Sequence, residues 1–191
     1  LLAMLCMGTV YSWSIFKKPL QELYDIQATE SLLPFTVMLV LYAACMPLAG
    51  ARMNRAGPGR MMALGAVLIA CGYGVSGFAS STPMLVLGYG VLGGTGVGIA
   101  YGAPLAVSAA WFPDKKGLAV GLTMVGFGLS PLVTAPLATF LISWAGVSRA
   151  FWILGGAFGI VLLAVSRFLR YPPADWRPAG PEGGAGAASP S

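Results

Sequence analysis

The strongest constraint on this chain is a set of long runs without a charged residue. Asp, Glu, Lys and Arg are all absent from 1–16, 31–51, 61–113, 117–148 and 150–166. Only 9% of the residues are charged, whereas a soluble domain usually has about 25%. So little charge cannot cover a water-facing surface. The sequence therefore predicts a membrane protein and argues against a water-soluble enzyme, a nucleic-acid-binding module or a disulfide-stapled secreted domain.

The uncharged runs have the length of membrane-spanning helices. A hydrocarbon core about 30 Å thick needs about 20 helical residues, whereas a barrel strand alternates over about 10 residues. Pro83 and the three hydroxyl residues before it predict a turn inside the longest run. The predicted fold class is an all-α polytopic bundle of six transmembrane helices. Its expected spans are about 1–16, 32–50, 61–79, 84–112, 118–142 and 150–169.

The two ends of the chain differ in character from the middle. The first span, 1–16, would be about 24 Å long at about 1.5 Å per residue, so we expect a truncated first helix in a fragment of a longer protein. Residues 171–191 are rich in proline and glycine and are expected to form a cytoplasmic linker or tail.

The distribution of Lys and Arg predicts the orientation of the bundle. Cationic residues that fall on one predicted side are Arg52, Arg55, Arg60, Lys115, Lys116, Arg167, Arg170 and Arg177; those on the other are Lys17, Lys18 and Arg149. Because cytoplasmic loops carry the excess of positive charge, the N- and C-terminal ends of the bundle are predicted to be cytoplasmic. This topology explains the net charge of +5, so a nucleic-acid partner is not expected.

Residues that could perform chemistry are scarce. The chain has no histidine, and no acidic residue lies inside a predicted span. Cys6, Cys45 and Cys71 all fall within spans and are interpreted as small packing residues. The sequence therefore predicts neither an enzyme nor a metal or cofactor site.

A glycine stripe marks the fourth span. Gly90, Gly94, Gly98 and Gly102 recur every four residues, so they lie along one slowly drifting helix face. Small residues let two membrane helices approach closely, which predicts helix packing. An alternative is that the smooth face lets a neighbouring helix slide or rock.

The stretch between the second and third spans resembles a known signature. Residues 50–60 read GARMNRAGPGR, which resembles the Gly-x-x-x-Asp-Arg-x-Gly-Arg-Arg loop of the major facilitator superfamily. Asn54 stands where the signature has aspartate. Gly59 stands where it has the first of its two closing arginines. The resemblance implies a latch between two halves of a transporter, with candidate gating residues Gly50, Asn54, Arg55, Gly57 and Arg60. A generic basic turn is the alternative.

Further phrases narrow the resemblance. The chain is similar to the oxalate/formate antiporter family in residues 10–14 (VYSWS), 98–102 (GIAYG), 111–119 (WFPDKKGLA) and 171–173 (YPP). This likeness implies the N-terminal half of a secondary carrier that exchanges small carboxylates such as formate or oxalate by alternating access. It also implies a bacterial or archaeal inner (plasma) membrane.

The resemblance also implies substrate-binding positions. Tyr11, Trp13 and Tyr101 match pocket positions of the family, although Trp13 could equally be an interfacial anchor because it lies near Lys17. Val10 stands where the family's oxalate carrier has glutamine, and Phe127 where it has tyrosine. Both changes remove hydrogen-bonding groups, so a less polar monocarboxylate is the expected substrate.

The expected partners are the substrate, the lipid bilayer and a C-terminal six-helix half. In the family, the arginine and lysine that hold the substrate belong to that second half, so these residues should not transport alone. Two alternatives stay open. One is a proton-coupled monocarboxylate carrier or another major facilitator. The other is a non-transporting scaffold or half-size subunit.

Overall fold

The computed structural model describes residues 1–173 of the chain and is helical almost throughout. The predicted all-α fold class is confirmed. The main helices are α1 (Leu2–Met7), α2 (Trp13–Tyr24), α3 (Leu33–Ala56), α4 (Pro58–Gly77), α5 (Thr82–Leu85), α6 (Gly94–Trp111), α7 (Lys116–Gly128), α8 (Ser130–Ala145) and α9 (Val147–Phe168). A 3₁₀ segment, Gly8–Ser12, joins α1 to α2, and a π-helical segment, Val86–Gly93, joins α5 to α6.

Five helical segments in the described part of the chain are long and apolar enough to cross a membrane. They are Glu30–Ala56, Pro58–Gly77, Thr82–Trp111, Pro113–Ala145 and Val147–Phe168. The first predicted span, 1–16, is not among them. Its helical course continues through the 3₁₀ segment to Tyr24, past Lys17 and Lys18. The helix therefore extends beyond the predicted span, because an apolar run marks where charge begins and not where a helix ends.

The predicted fifth span, 118–142, is two helices in the structure. Helix α7 ends at Gly128 and α8 begins at Ser130, with Pro131 in its first turn. A proline has no amide hydrogen and clashes with the preceding turn, so it favours the start of a helix over its interior. The break at Leu129 places the aromatic ring of Phe127 at the end of α7.

Helix α4 lies at the centre of the packing. It packs most extensively against α9 and α6, and α6 packs in turn against α3. Glycines make these approaches close: a Cβ added to Gly65 would lie 2.5 Å from the carbonyl oxygen of Gly96, and one on Gly72 would lie 2.6 Å from that of Gly88. Backbone contact of this kind is how membrane helices gain packing energy, since lipid offers no hydrophobic driving force.

Antiparallel neighbours bring the basic segments to one end of the bundle. The indole of Trp111 donates a hydrogen bond to the carbonyl of Arg170 at 2.9 Å, and Gly59 packs against Ser166. At the opposite end, the hydroxyl of Tyr24 donates to the carbonyl of Ala79 at 2.5 Å. We call these the basic end and the opposite end. Arg177 and most of the predicted tail, 171–191, lie outside the described residues.

Candidate functional site

Four aromatic side chains meet where Tyr42 and Phe127 lie near the middle of their membrane-spanning segments, and they define the candidate site. The ring of Phe127 lies 5.3 Å from Tyr11 and 5.1 Å from Tyr101 between centroids, both edge to face. Tyr42 lies 5.4 Å from Tyr101, also edge to face, and 6.5 Å from Phe127. Aromatic pairs favour this geometry and hold each other in place. We call these four residues the open aromatic cluster.

The four rings differ in exposure. Tyr11 is 54% exposed, whereas Tyr101 is 4% exposed and Phe127 is also buried. Ser14, one turn after Tyr11, is exposed on the same side of the first helix. Three phenol groups therefore stand at or behind an exposed surface of the bundle. A phenol can donate a hydrogen bond while its ring forms an apolar wall.

Hydroxyl contacts fix the first helix beside α8 and so position Tyr11. The Ser12 and Thr134 hydroxyls lie 2.9 Å apart, and the Ser130 hydroxyl donates to the carbonyl of Leu5 at 2.5 Å. Gly8 packs directly against the backbone of Phe127. Because Tyr11 lies in the 3₁₀ segment that starts at Gly8, these contacts hold its ring against Phe127.

Trp13 belongs to a different group of rings. Its ring centroid is 4.4 Å from that of Tyr89, and its indole donates a hydrogen bond to the carbonyl of Ser31 at 3.1 Å. It packs in a buried group that we call the closed aromatic cluster, made of Trp13, Phe16, Tyr73, Tyr89, Phe151 and Phe158. Trp13 is only 3% exposed, so it packs inside this bundle, and its role as a pocket wall or an interfacial anchor stays a prediction. Two residues along a helix turn a side chain by about 200°, which puts Trp13 nearly opposite Tyr11.

Val10 is also buried in the packed interior, away from the surface on which Tyr11 opens. Its place as a substrate-binding position stays a prediction. Phe127 and Tyr101, by contrast, lie in the open aromatic cluster beside Tyr11. Sequence reasoning missed Tyr42. A phenol near the middle of an uncharged span was the available signal, because polar groups in spans usually face the bundle or a cavity.

The glycine stripe of the fourth span faces α3. A Cβ on Gly90 would lie 3.0 Å from the carbonyl oxygen of Pro34, one on Gly94 would lie 2.6 Å from that of Met38, and one on Gly98 would lie 2.8 Å from that of Tyr42. Gly102 meets the end of the Met53 side chain at 3.3 Å. The stripe thus brings the backbones of the fourth span and α3 together where Tyr42 and Tyr101 meet.

The signature stretch, predicted as a loop over 50–60, is almost entirely helical. Helix α3 continues to Ala56 and carries Gly50, Asn54 and Arg55, while Arg60 lies in the first turn of α4. Helices can extend beyond the hydrocarbon core, and Arg55 in the last turn of α3 complements the negative end of its dipole. The stretch is therefore a helix-to-helix junction at Gly57, and its role as a gate stays a prediction.

Gly57 and Gly59 are needed where α3 gives way to α4. Gly57, between the two helices, has a φ of 85°, a conformation that favours glycine. A Cβ on Gly59 would lie 2.6 Å from the carbonyl oxygen of Ser166 in α9. The departure from arginine at position 59 thus accompanies a close crossing of α4 and α9.

The long apolar spans, the glycine contacts between them and the half-exposed tyrosine cluster define a polytopic helical membrane protein of the transporter class. The family model described as Major Facilitator Superfamily matches residues 1–190. The chain belongs to this superfamily.

Characterised relatives point in the same direction. The oxalate:formate antiporter of Oxalobacter formigenes is 32% identical over 171 residues, which cover 88% of this chain and 41% of that protein. Apicoplast pyruvate carrier 1 of Toxoplasma gondii is 41% identical over 98 residues, covering 50% of this chain and 18% of the carrier. Monocarboxylate transporter 11 of Mus musculus is 30% identical over 148 residues, covering 78% of this chain and 33% of that transporter. The chain thus spans less than half the length of these relatives.

Proposed function

We propose that this chain is the N-terminal half of a secondary carrier that exchanges small carboxylates by alternating access. The observation that carries the proposal is the open aromatic cluster, whose exposed member is Tyr11. In a two-lobed carrier the substrate binds near the middle of the membrane between the halves. The exposed side of the cluster would form this half's wall of that cavity.

The chemistry of the cluster supports a carboxylate. The phenol groups of Tyr11, Tyr42 and Tyr101 can each donate a hydrogen bond to a carboxylate oxygen. Hydrogen bonds to a charged group contribute about 1.5–3 kcal/mol each. The names of the three relatives share carboxylates as their substrates.

The charge of the substrate requires a contribution from outside these residues. No Lys or Arg occurs in the uncharged runs 31–51 and 61–113, which supply Tyr42 and Tyr101. Burying an anion without a cation is costly, so we assign the cationic partner to a C-terminal half. Such a half would cover the side on which Tyr11 is exposed.

The composition of the cluster favours a monocarboxylate over oxalate. Phe127 contacts the rings of all three tyrosines but has no hydroxyl group. A second carboxylate group in this region would find one donor fewer than with tyrosine at this position, so less of its lost hydration would be replaced. Formate- or lactate-like acids fit this arrangement better.

The basic end supplies the gate in this proposal. Asn54 and Arg55 are exposed at the end of α3, where they can meet the second half. Asn54 can accept a hydrogen bond but carries no charge, so the latch is weaker than one with aspartate. We assign this end to the cytoplasmic side of an inner (plasma) membrane, since it holds most of the Lys and Arg.

Counterflow in proteoliposomes tests the proposal. The complete carrier, loaded inside with unlabelled formate, should accumulate labelled formate or lactate faster than labelled oxalate. The 191-residue chain reconstituted alone should show no counterflow. Faster exchange of oxalate would overturn the substrate assignment, and exchange by the chain alone would overturn the assignment of the cation to a second half.

A proton-coupled monocarboxylate carrier is the second candidate, favoured by the relation to monocarboxylate transporter 11. Uptake driven by an imposed pH gradient into vesicles without internal substrate would support it over exchange. A non-transporting scaffold is the remaining alternative, and it predicts no flux from the complete protein under either condition.

A further inference from the structure

A basic cleft lies at the basic end between the start of α4 and the end of α9. Its arginines are Arg60, Arg167 and Arg170, all exposed, and its volume is about 610 Å³. Gly59 and Ser166 form its floor, where the two helix backbones touch. Arg60 is also a candidate gating residue, but the gate in the transport proposal is argued from Asn54 and Arg55, which do not line this cleft, and it gives Arg167 and Arg170 no role.

Apolar side chains continue from the cleft along the outer surface of both helices. On α4, Val67 lies two turns from Arg60 and is 48% exposed. On α9, Leu163 lies one turn from Arg167, and Ile160 lies a further turn away and is 71% exposed. Residues four and seven apart share one helix face. Each apolar strip therefore lies on the same face as an arginine, Arg60 on α4 and Arg167 on α9.

Both strips flank the same line of helix contact. The α4–α9 contact runs through Gly59, Ala70 and Gly77 on α4, which meet Ser166, Gly159 and Trp152 on α9. Val67 and Leu163 each lie on the exposed edge of their helix beside that line. The surface is therefore an apolar groove with three cationic groups at one end.

We propose that this groove binds an anionic phospholipid. The three guanidinium groups hold the headgroup phosphate, and the acyl chains lie along the apolar strips of α4 and α9. Guanidinium groups match phosphate oxygens in pairs, and basic pockets between membrane helices suit anionic headgroups. A soluble anion would use the arginines but leave the apolar strips unexplained. The proposal does not depend on which substrate the carrier exchanges.

Lipid binding by the purified complete carrier tests the proposal. Native mass spectrometry with phosphatidylglycerol and phosphatidylcholine measures the preference between an anionic and a zwitterionic headgroup. The triple variant Arg60→Gln, Arg167→Gln, Arg170→Gln should lose phosphatidylglycerol affinity by about a hundredfold, since each cation near an anionic headgroup contributes about fivefold.

The matched control removes three charges elsewhere at the same end. The variant Arg55→Gln, Lys115→Gln, Lys116→Gln should keep its phosphatidylglycerol affinity within about twofold, because these exposed residues do not line the cleft. Equal losses in the two triple variants would show general charge attraction and overturn the site.

Two measurements on the unmodified carrier keep the proposal testable if the cleft variant does not fold. The carrier should bind phosphatidylglycerol more tightly than phosphatidylcholine, and millimolar inorganic phosphate should not displace the lipid. No preference between the lipids, or full displacement by phosphate, would overturn the proposal, the latter in favour of a soluble anion site.

Discussion

The two aromatic clusters contain similar residue types but differ in how far they are buried. In the closed cluster, rings such as Tyr89 and Phe151 contact aromatic neighbours and are fully buried. In the open cluster the rings also touch, but Tyr11 is exposed and Phe127 is the only member without a hydroxyl group. The difference teaches that aromatic content alone does not mark a binding site. The exposed side chain of Tyr11 is what distinguishes the open cluster, and our proposal places the substrate there for that reason.

The largest expected effect comes from truncating the closed cluster. Phe151→Ala should destabilise the chain by about 3 kcal/mol, because a fully buried ring leaves a cavity. Tyr11→Ala should change stability by less than about 1 kcal/mol, since over half of that side chain is exposed. Unfolding in mixed micelles by titration with SDS measures both. Equal losses would mean that the two clusters do not differ in role.

A second substitution tests how the open cluster is held. Gly98→Val should destabilise the chain by about 1–3 kcal/mol, because its side chain would enter the space of the Tyr42 backbone in α3. Gly74→Val is the matched control, since a Cβ at Gly74 meets nothing within 4 Å. The same titration should show a smaller change for the control. A tolerated Gly98→Val would contradict the close approach of α6 and α3.

Removing a phenol oxygen separates binding from packing. In the complete carrier, Tyr101→Phe should lower carboxylate uptake about tenfold, or about 1.4 kcal/mol, while the ring still packs against Phe127. Tyr24→Phe is the control, because its hydroxyl bonds Ala79 at the opposite end. Initial rates of uptake should be unchanged for the control within about twofold. Unchanged uptake by Tyr101→Phe would remove this tyrosine from the site.

The smallest effect is a change in selectivity. Phe127→Tyr should raise oxalate uptake relative to formate by about threefold, because it adds a hydroxyl among three tyrosines. Val10→Gln should give no such gain and should lower stability. Position 10 is buried, so the amide of the introduced glutamine would lack hydrogen-bond partners. Competition between labelled formate and unlabelled oxalate measures the ratio. A gain from Val10→Gln alone would reverse the assignment of the two positions.

The long uncharged runs predicted the fold class, because few architectures can hydrogen-bond all their backbone N–H and C=O groups in lipid. They could not predict helix ends, since α3 continues through Arg52 and Arg55 to Ala56. The break at Leu129 was also missed, although Pro131 was a visible signal.

The site was only partly predictable. Tyr11 and Trp13 are two residues apart, and only the three-dimensional structure shows that they face different clusters. Tyr42 joins through contacts across α3 and α6, which sequence spacing within one helix cannot show. Phe127 and Tyr101 were predicted as site residues through a family resemblance. The packing of their helices, which brings the two rings together, is visible only in the structure.

Thiol labelling tests most directly whether the open aromatic cluster faces the substrate cavity. In a complete carrier with Cys6, Cys45 and Cys71 replaced by serine or alanine, Ser14→Cys places a thiol on the exposed side beside Tyr11. A membrane-impermeant maleimide should label it, and saturating formate or lactate should slow the labelling several-fold.

Ile160→Cys, exposed on the outer surface of α9, provides the comparison and should react slowly with or without substrate. The account predicts protection by substrate at position 14 alone. Labelling at position 14 that substrate does not change, or no labelling there while position 160 reacts, would contradict the assignment of this surface to the cavity.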